Sequence, residues 1–113
     1  MESTVYVNNI ERAAPITLSG QIDYEPGSVA SLSLVQRENL AMALFAISQG
    51  EGIGGHASTG DAMVNILEGC AEITIGGKTS LVSAGETILM PANIDHALHA
   101  KENFKMLLTV VKP

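Results

Sequence analysis

The chain lacks several features that stabilise or target small proteins. Among its 113 residues only Cys70 is a cysteine, so no intrachain disulfide can form. The start Met-Glu-Ser is not followed by the basic segment and apolar core of a signal peptide. The longest apolar run, Leu40 to Ile47, is too short to span a bilayer. These absences predict a reduced, soluble, cytoplasmic protein.

Basic residues are few and scattered. Six lysines and arginines stand against 12 acidic residues, which gives a net charge of −6. No cluster could neutralise a run of phosphates, so we expect no binding to nucleic acid. Binding to a membrane surface is disfavoured for the same reason. The six are Arg12, Arg37, Lys78, Lys101, Lys105 and Lys112.

The chain is rich in apolar residues, which form short runs. They make up 46% of the residues, whereas charged residues make up 16%, and this balance argues against disorder. A chain of 113 residues has the size of one domain and needs no disulfides to fold.

The short apolar runs predict strands separated by turns. Residues 29–35 alternate with serines, with Val29, Ser31, Ser33 and Val35 expected on one face. The run Leu40 to Ile47 suits a strand that is covered on both faces. Gly76-Gly77 predicts a hairpin turn. Residues 104–111 predict a final strand, with one face formed by Phe104, Met106, Leu108 and Val110.

Together the runs amount to seven to nine strands at roughly ten-residue spacing without an amphipathic helix, the signature of an all-β sandwich or barrel. We expect residues 29–113 to form this barrel. Residues 1–28 are broken by prolines and glycines, and we expect them to form an N-terminal arm or edge strands that pack on the barrel.

Two spaced glycine–histidine patterns stand out within residues 50–100. The first has Gly50, five residues, His56-Ala57-Ser58, three residues, Ala62, six residues and Gly69. The second has Gly85, five residues, Pro91-Ala92-Asn93, two residues, His96, three residues and Ala100. Fifteen residues, Cys70 to Ala84, separate the two patterns.

These patterns resemble the two motifs of the cupin superfamily. The first cupin motif has a glycine, a His-x-His pair, a glutamate and a second glycine at this spacing. The second has a glycine, Pro-x-Gly, a histidine and an asparagine. The short separation is typical of small single-domain cupins. The resemblance implies a double-stranded β-helix, or jelly-roll barrel.

The resemblance also implies a metal site whose ligands are only partly present. In metal-binding cupins the two histidines and the glutamate of the first motif, with the histidine of the second, hold one divalent ion. Position by position, this chain has His56, Ser58, Ala62 and His96. Two histidines are fewer protein ligands than a catalytic zinc or a non-haem iron commonly has. We expect all four positions to line the ligand pocket.

Asp61 is the substitute carboxylate that the sequence offers. It adjoins the position of the missing glutamate, and strand alternation turns its side chain away from the cavity unless a bulge intervenes. His99 is not expected to be a ligand for a similar reason. It lies three residues from His96, so on a regular strand the two side chains point to opposite faces. The candidate metal ligands are therefore His56, His96 and Asp61.

A pocket is also expected from small residues in the strands that line the barrel. Ala41, Ala43, Ala62 and Ala100 leave room inside, and a barrel of this size can hold a small ligand.

Three functions fit these observations. A divalent metal (Fe, Mn, Ni or Zn) held by His56 and His96 could act on a small organic molecule. Alternatively, the two histidines hydrogen-bond an anionic or polar small molecule in a metal-free binding or sensing module. The third function is an isomerase-like enzyme that uses the histidines as acid and base. We rank it last, because the expected cavity strands carry no basic residue to bind a phosphate.

We also expect a homodimer. The strands over Leu40 to Ile47 and Met63 to Leu67 are apolar on both faces, which is more apolar surface than one thin barrel can bury. A second copy packed on those outer faces would cover them.

Overall fold

Nine strands form the framework of the described part of the chain. A computed structural model describes residues 5–113, apart from the side chain of His56. A single 3-10 turn, Leu18–Gln21, precedes the strands, and no α-helix occurs in the described range. The strands are β1 (Val29–Gln36), β2 (Leu40–Ile47), β3 (Gly52–His56), β4 (Asp61–Glu68), β5 (Cys70–Ile75), β6 (Lys78–Ser83), β7 (Thr87–Met90), β8 (His96–His99) and β9 (Phe104–Val111).

The strands form two antiparallel sheets. The first has the order β1-β2-β9-β4-β7 and the second the order β3-β8-β5-β6. Neighbours in each sheet are mostly distant in sequence, because the chain passes repeatedly from one sheet to the other. This arrangement confirms the all-β jelly-roll class. None of the helices described over residues 5–113 is long and apolar enough to cross a membrane.

The main core lies between the two sheets. Alternation along each strand directs one set of side chains inward. Val64 of β4, Ile73 of β5 and Phe104 of β9 are each 0% exposed and belong to one cluster. The predicted common face of Phe104, Met106, Leu108 and Val110 is confirmed, because all four belong to or pack against this cluster.

A second core covers the outer face of the five-stranded sheet. Leu44 and Ala46 of β2 point away from the barrel and pack against Ile22 and other apolar residues of the N-terminal segment. β2 is therefore covered on both faces, as predicted. The chain itself buries much of the outer surface that a homodimer was expected to bury, and the homodimer stays a prediction.

Polar contacts fasten the N-terminal segment to this sheet. The Tyr24 hydroxyl donates to Glu68 Oε2 at 2.7 Å, and the ammonium group of Lys105 donates to the Ser19 carbonyl at 2.6 Å. Lys105 Nζ also lies 5.0 Å from the centre of the Tyr24 ring. Burial, together with the hydrogen bond to Glu68 and the charge of that carboxylate, raises the pKa of Tyr24 above its ordinary value.

One strand departs from the predicted alternation. A β-bulge shifts the register of β1 against β2 between Ser33 and Val35. Leu34 and Val35 are consequently both buried in the outer core. The prediction that Val35 shares the face of Ser31 and Ser33 is therefore wrong.

The predicted hairpin at Gly76-Gly77 is present. It joins β5 to β6, and Ile75 pairs with Lys78 across it. The two glycines have φ angles of 55° and 85°, the left-handed region that a two-residue turn of this kind requires at both positions.

Candidate functional site

A cavity of about 200 Å³ lies between the sheets. Ten of the described residues line it, and eight of these are apolar. The two polar ones are Ser58 and His96, and none of the ten is Asp, Glu, Lys or Arg. The described wall therefore offers an imidazole and a hydroxyl on an otherwise apolar surface.

His96 is placed by strand β8, which begins with it. Its side chain is 9% exposed, and alternation directs it to the same side as the buried Leu98. His96 pairs with His56 of β3 on one side and with Ile75 of β5 on the other. The second-motif histidine is thus held in the middle of the four-stranded sheet and faces the cavity.

The backbone of His56 ends strand β3 directly opposite His96. A register shift between Gly54 and His56 precedes this pair, at Gly55, whose φ is 86°. The structure therefore brings the two predicted histidine positions together as cross-strand partners. The side chain of His56 lies outside the described residues, so its predicted role as a ligand stays a prediction.

Ser58 lies in the segment between β3 and β4 and is half-buried at the cavity wall. Its hydroxyl accepts a hydrogen bond from the Gly60 N–H at 3.1 Å. Its carbonyl oxygen accepts another from the Asn93 N–H at 2.7 Å. These two bonds fix the serine in the wall of the cavity.

Asp61 and Ala62 begin strand β4 and face opposite sides of it. Ala62 is 3% exposed and lines the cavity, where its methyl group is part of the apolar wall. Asp61 is exposed, does not line the cavity, and accepts a hydrogen bond from the Ala92 N–H at 2.8 Å through Oδ1. A metal-ligand role for Asp61 stays a prediction.

His99 lies on the outer face of the four-stranded sheet. Its side chain is half-exposed, and Nδ1 is 3.9 Å from Glu72 Oε1. The other carboxylate oxygen of Glu72, Oε2, lies 3.1 Å from Lys101 Nζ. His99 and His96 therefore occupy opposite faces of the sheet, as their spacing indicates.

The described residues do not supply a complete metal site. Leaving aside the His56 side chain, no group of three His, Cys, Asp or Glu residues is close enough together to hold a metal ion. A catalytic zinc commonly has three protein ligands. The imidazole of His96 and the hydroxyl of Ser58 alone do not fit such a set.

Several residues of the cavity wall are visible in the sequence only as apolar strand residues. Met90 ends β7, pairs with Ala62, and lies beside Met106 and Leu98 in the wall. Of the four predicted cavity-lining alanines, Ala62 lines this cavity, Ala41 and Ala43 line an adjoining groove, and Ala100 is buried in the main core. Alternation identifies inward residues, but it does not distinguish the cavity wall from the filled core.

Comparisons with known proteins agree with this architecture. A family model described as "Cupin domain" matches residues 43–112. The chain is 49% identical to a conserved protein of unknown function from Streptococcus pyogenes, with a TM-score of 0.96 over 99% of this chain and 98% of that one. It is 27% identical to a cupin superfamily protein from Desulfitobacterium hafniense, with a TM-score of 0.92 over 96% and 100%.

A third solved structure is longer than this chain. It is a cupin 2 conserved barrel domain protein from Leptotrichia buccalis, 39% identical, with a TM-score of 0.83. The match covers 86% of this chain and 47% of that protein. Both the double-motif resemblance and the jelly-roll barrel predicted from the sequence are therefore confirmed.

Proposed function

Because this chain belongs to the cupin family, we propose that it binds one small organic molecule inside its barrel, with His96 as the main polar contact. The observation that carries the proposal is the composition of the cavity wall. Among the described residues, eight apolar side chains line the cavity, and Ser58 and His96 add polar groups to its wall. Binding pockets for small molecules commonly combine a mostly apolar surface with a few placed polar groups.

The size of the cavity limits the ligand. An engineered apolar cavity of about 150 Å³ binds benzene. A cavity of about 200 Å³ therefore suits one six-membered ring with a short substituent, or a branched chain of similar size.

The chemistry of the wall limits the ligand further. A buried charge without a partner is costly, and the described wall contains no Lys or Arg to pair with an anion. An uncharged hydroxyl or carbonyl group can bond to the imidazole of His96, which can donate or accept according to its tautomer. The Ser58 hydroxyl, which accepts from Gly60, still has a proton to donate. The proposed class is therefore a phenol, an alcohol or a ketone.

A divalent metal at the same place is the second candidate. The pairing of His56 with His96 favours it, because two imidazole-bearing residues meet on neighbouring strands. Fe, Mn, Ni or Zn would there act as a Lewis acid on an oxygen of the ligand. The described donors are too few to hold the ion without His56 and further ligands. For this reason we rank it below direct binding of the organic molecule.

Calorimetric titration of 4-ethylphenol into protein dialysed against EDTA tests the first candidate. We expect one site per chain, weakened about tenfold in His96→Ala, since a hydrogen bond in a buried site is lost. His99→Ala is the matched control and retains the affinity, because His99 lies on the outer face of the same strand. Absence of binding, or equal loss in both variants, would refute the proposal for this class.

Elemental analysis of protein purified without chelator tests the second candidate. A metal held by the two histidines would be stoichiometric and would be lost from a His56→Ala/His96→Ala double variant. A metal content that is low and the same in both proteins would exclude this candidate.

A further inference from the structure

A groove of about 270 Å³ adjoins the cavity on the inner face of the five-stranded sheet. Its apolar floor includes Phe45, Leu108 and Val110, and the same three residues also line the cavity. The two spaces therefore share a wall and follow one another along the sheet.

Strand β1 gives this groove a polar side. β1 is one of the two edge strands of the described sheet, and its only strand neighbour there is β2. Ser31 pairs with Phe45, Ser33 with Ala43 and Gln36 with Ala41, so the three polar side chains share the face of the groove floor. The bulge after Ser33 is responsible for this arrangement, because it moves Val35 to the opposite face and directs Gln36 into the groove.

The depth of the groove comes from small side chains. Ala41 and Ala43 lie between the polar residues of β1 and the larger side chains of β9. Among the described residues that line the groove, the polar side chains carry hydroxyls or an amide, and none is charged. A segment of ligand lying here would meet uncharged hydrogen-bonding groups on one side and an apolar floor below.

From this continuity we propose that the ligand is an elongated, uncharged amphiphile. Its apolar ring or branched end occupies the cavity, and a tail bearing hydroxyl or ether oxygens lies along the groove against Ser31, Ser33 and Gln36. The inference rests on the proposed function and names the ligand class more narrowly. Phosphate and carboxylate tails fall outside this class, because no described residue of the groove is a cation that could pair with them.

A matched pair of probes tests the groove separately from the cavity. The short probe is 4-ethylphenol, and the long probe is the same phenol with a di(ethylene glycol) methyl ether on its ethyl group. We expect the long probe to bind about tenfold more tightly than the short probe. The tail forms new hydrogen bonds with the groove, and the entropy cost of ordering the tail offsets part of that gain. Ser33→Phe, which fills the groove, reduces the ratio of the two affinities to about one.

Ser83→Phe is the matched control, since Ser83 is an exposed serine on β6, an edge strand of the other sheet. We expect it to keep the tenfold ratio. If 4-ethylphenol binds and the long probe binds no more tightly, the groove inference is wrong and the proposed function stands. If neither probe binds, both are wrong. If Ser33→Phe dissociates a wild-type dimer in sedimentation, the groove is an interface between copies and the inference is also wrong.

Discussion

The carboxylate of Asp61 accepts a hydrogen bond from the backbone N–H of Ala92 at 2.8 Å. A second bond, from the Asn93 N–H to the Ser58 carbonyl at 2.7 Å, lies beside it. Together they tie the segment after β3 and the first residue of β4 to the segment after β7. Because Ser58 lines the cavity, these bonds fix the position of part of the cavity wall.

We predict that Asp61→Ala lowers the free energy of unfolding by about 1 kcal/mol, since the Ala92 N–H loses its acceptor. Asp61→Asn keeps an oxygen at this place and should lose less than half as much. Urea denaturation measures both. If both variants are as stable as wild type, the bond does not stabilise this part of the cavity wall. Loss of a stoichiometric metal in Asp61→Asn would instead support the metal-ligand role predicted from the sequence.

Restoring the two missing motif residues should create a metal site. Ser58 and Ala62 both line the cavity that His96 faces, so Ser58→His/Ala62→Glu places two more ligands on that wall. We expect this variant to bind one divalent ion per chain. We also expect it to be less stable than wild type without metal and stabilised by Zn²⁺ or Mn²⁺.

The matched control for this variant is Ser58→His/Ala62→Gln, which has the same size and lacks the carboxylate charge. Elemental analysis after dialysis should find much less metal in it. A folded Ser58→His/Ala62→Glu variant that holds no metal would show that the wall does not have the geometry that the family resemblance implies.

The Tyr24–Glu68 contact predicts a loss of stability in alkali. The raised pKa of Tyr24 means that the folded chain keeps the phenol proton above pH 10, about where the unfolded chain loses it. Stability from this group is therefore fully present below about pH 10 and falls as the pH rises beyond it. Denaturation of wild type and Tyr24→Phe at pH 8 to 11 should show a steeper decline in wild type. Parallel declines would contradict this expectation.

The expected homodimer has a specific candidate contact. Met63, Leu89 and Val111 are exposed at the outer face of the five-stranded sheet, where Met63 pairs with Leu89 across β4 and β7. We predict that Met63→Lys shifts a wild-type dimer to monomer in sedimentation. Leu81→Lys, an exposed leucine on the other sheet, should leave it a dimer. A monomeric wild type at micromolar concentration would refute the homodimer.

Alternation and turn residues were sufficient to predict an all-β sandwich or barrel, and the resemblance of the two motifs to cupins specified the jelly-roll barrel. The hairpin at Gly76-Gly77 and the inward face of β9 follow from local rules, since two consecutive glycines favour the turn and a period of two directs the side chains. The bulge after Ser33 was not predictable in this way. It is stabilised by burial of both Leu34 and Val35 under the N-terminal segment, a contact between parts of the chain that are distant in sequence.

The motif spacing selected the positions of the candidate site, and their role in binding stays a prediction. Motif spacing identified His56, His96 and Ala62, and the structure brings the two histidines together as register partners. Spacing could not show that the Asp61 carboxylate bonds to Ala92, because that contact depends on how the start of β4 meets the segment after β7. Nor could it identify Met90 and Met106 as cavity wall, because a buried strand residue lines a cavity only where facing side chains leave space.

Methionine-methyl NMR with 4-ethylphenol tests whether a small molecule binds inside the barrel. Met90 and Met106 line the cavity, whereas Met63 is exposed on the outer face of β4. We predict that the ring shifts the methyl signals of Met90 and Met106 in a saturable manner and leaves that of Met63 in place. Unchanged Met90 and Met106 signals at high probe concentration, or a shift of Met63 alone, would show that the probe does not bind inside the barrel.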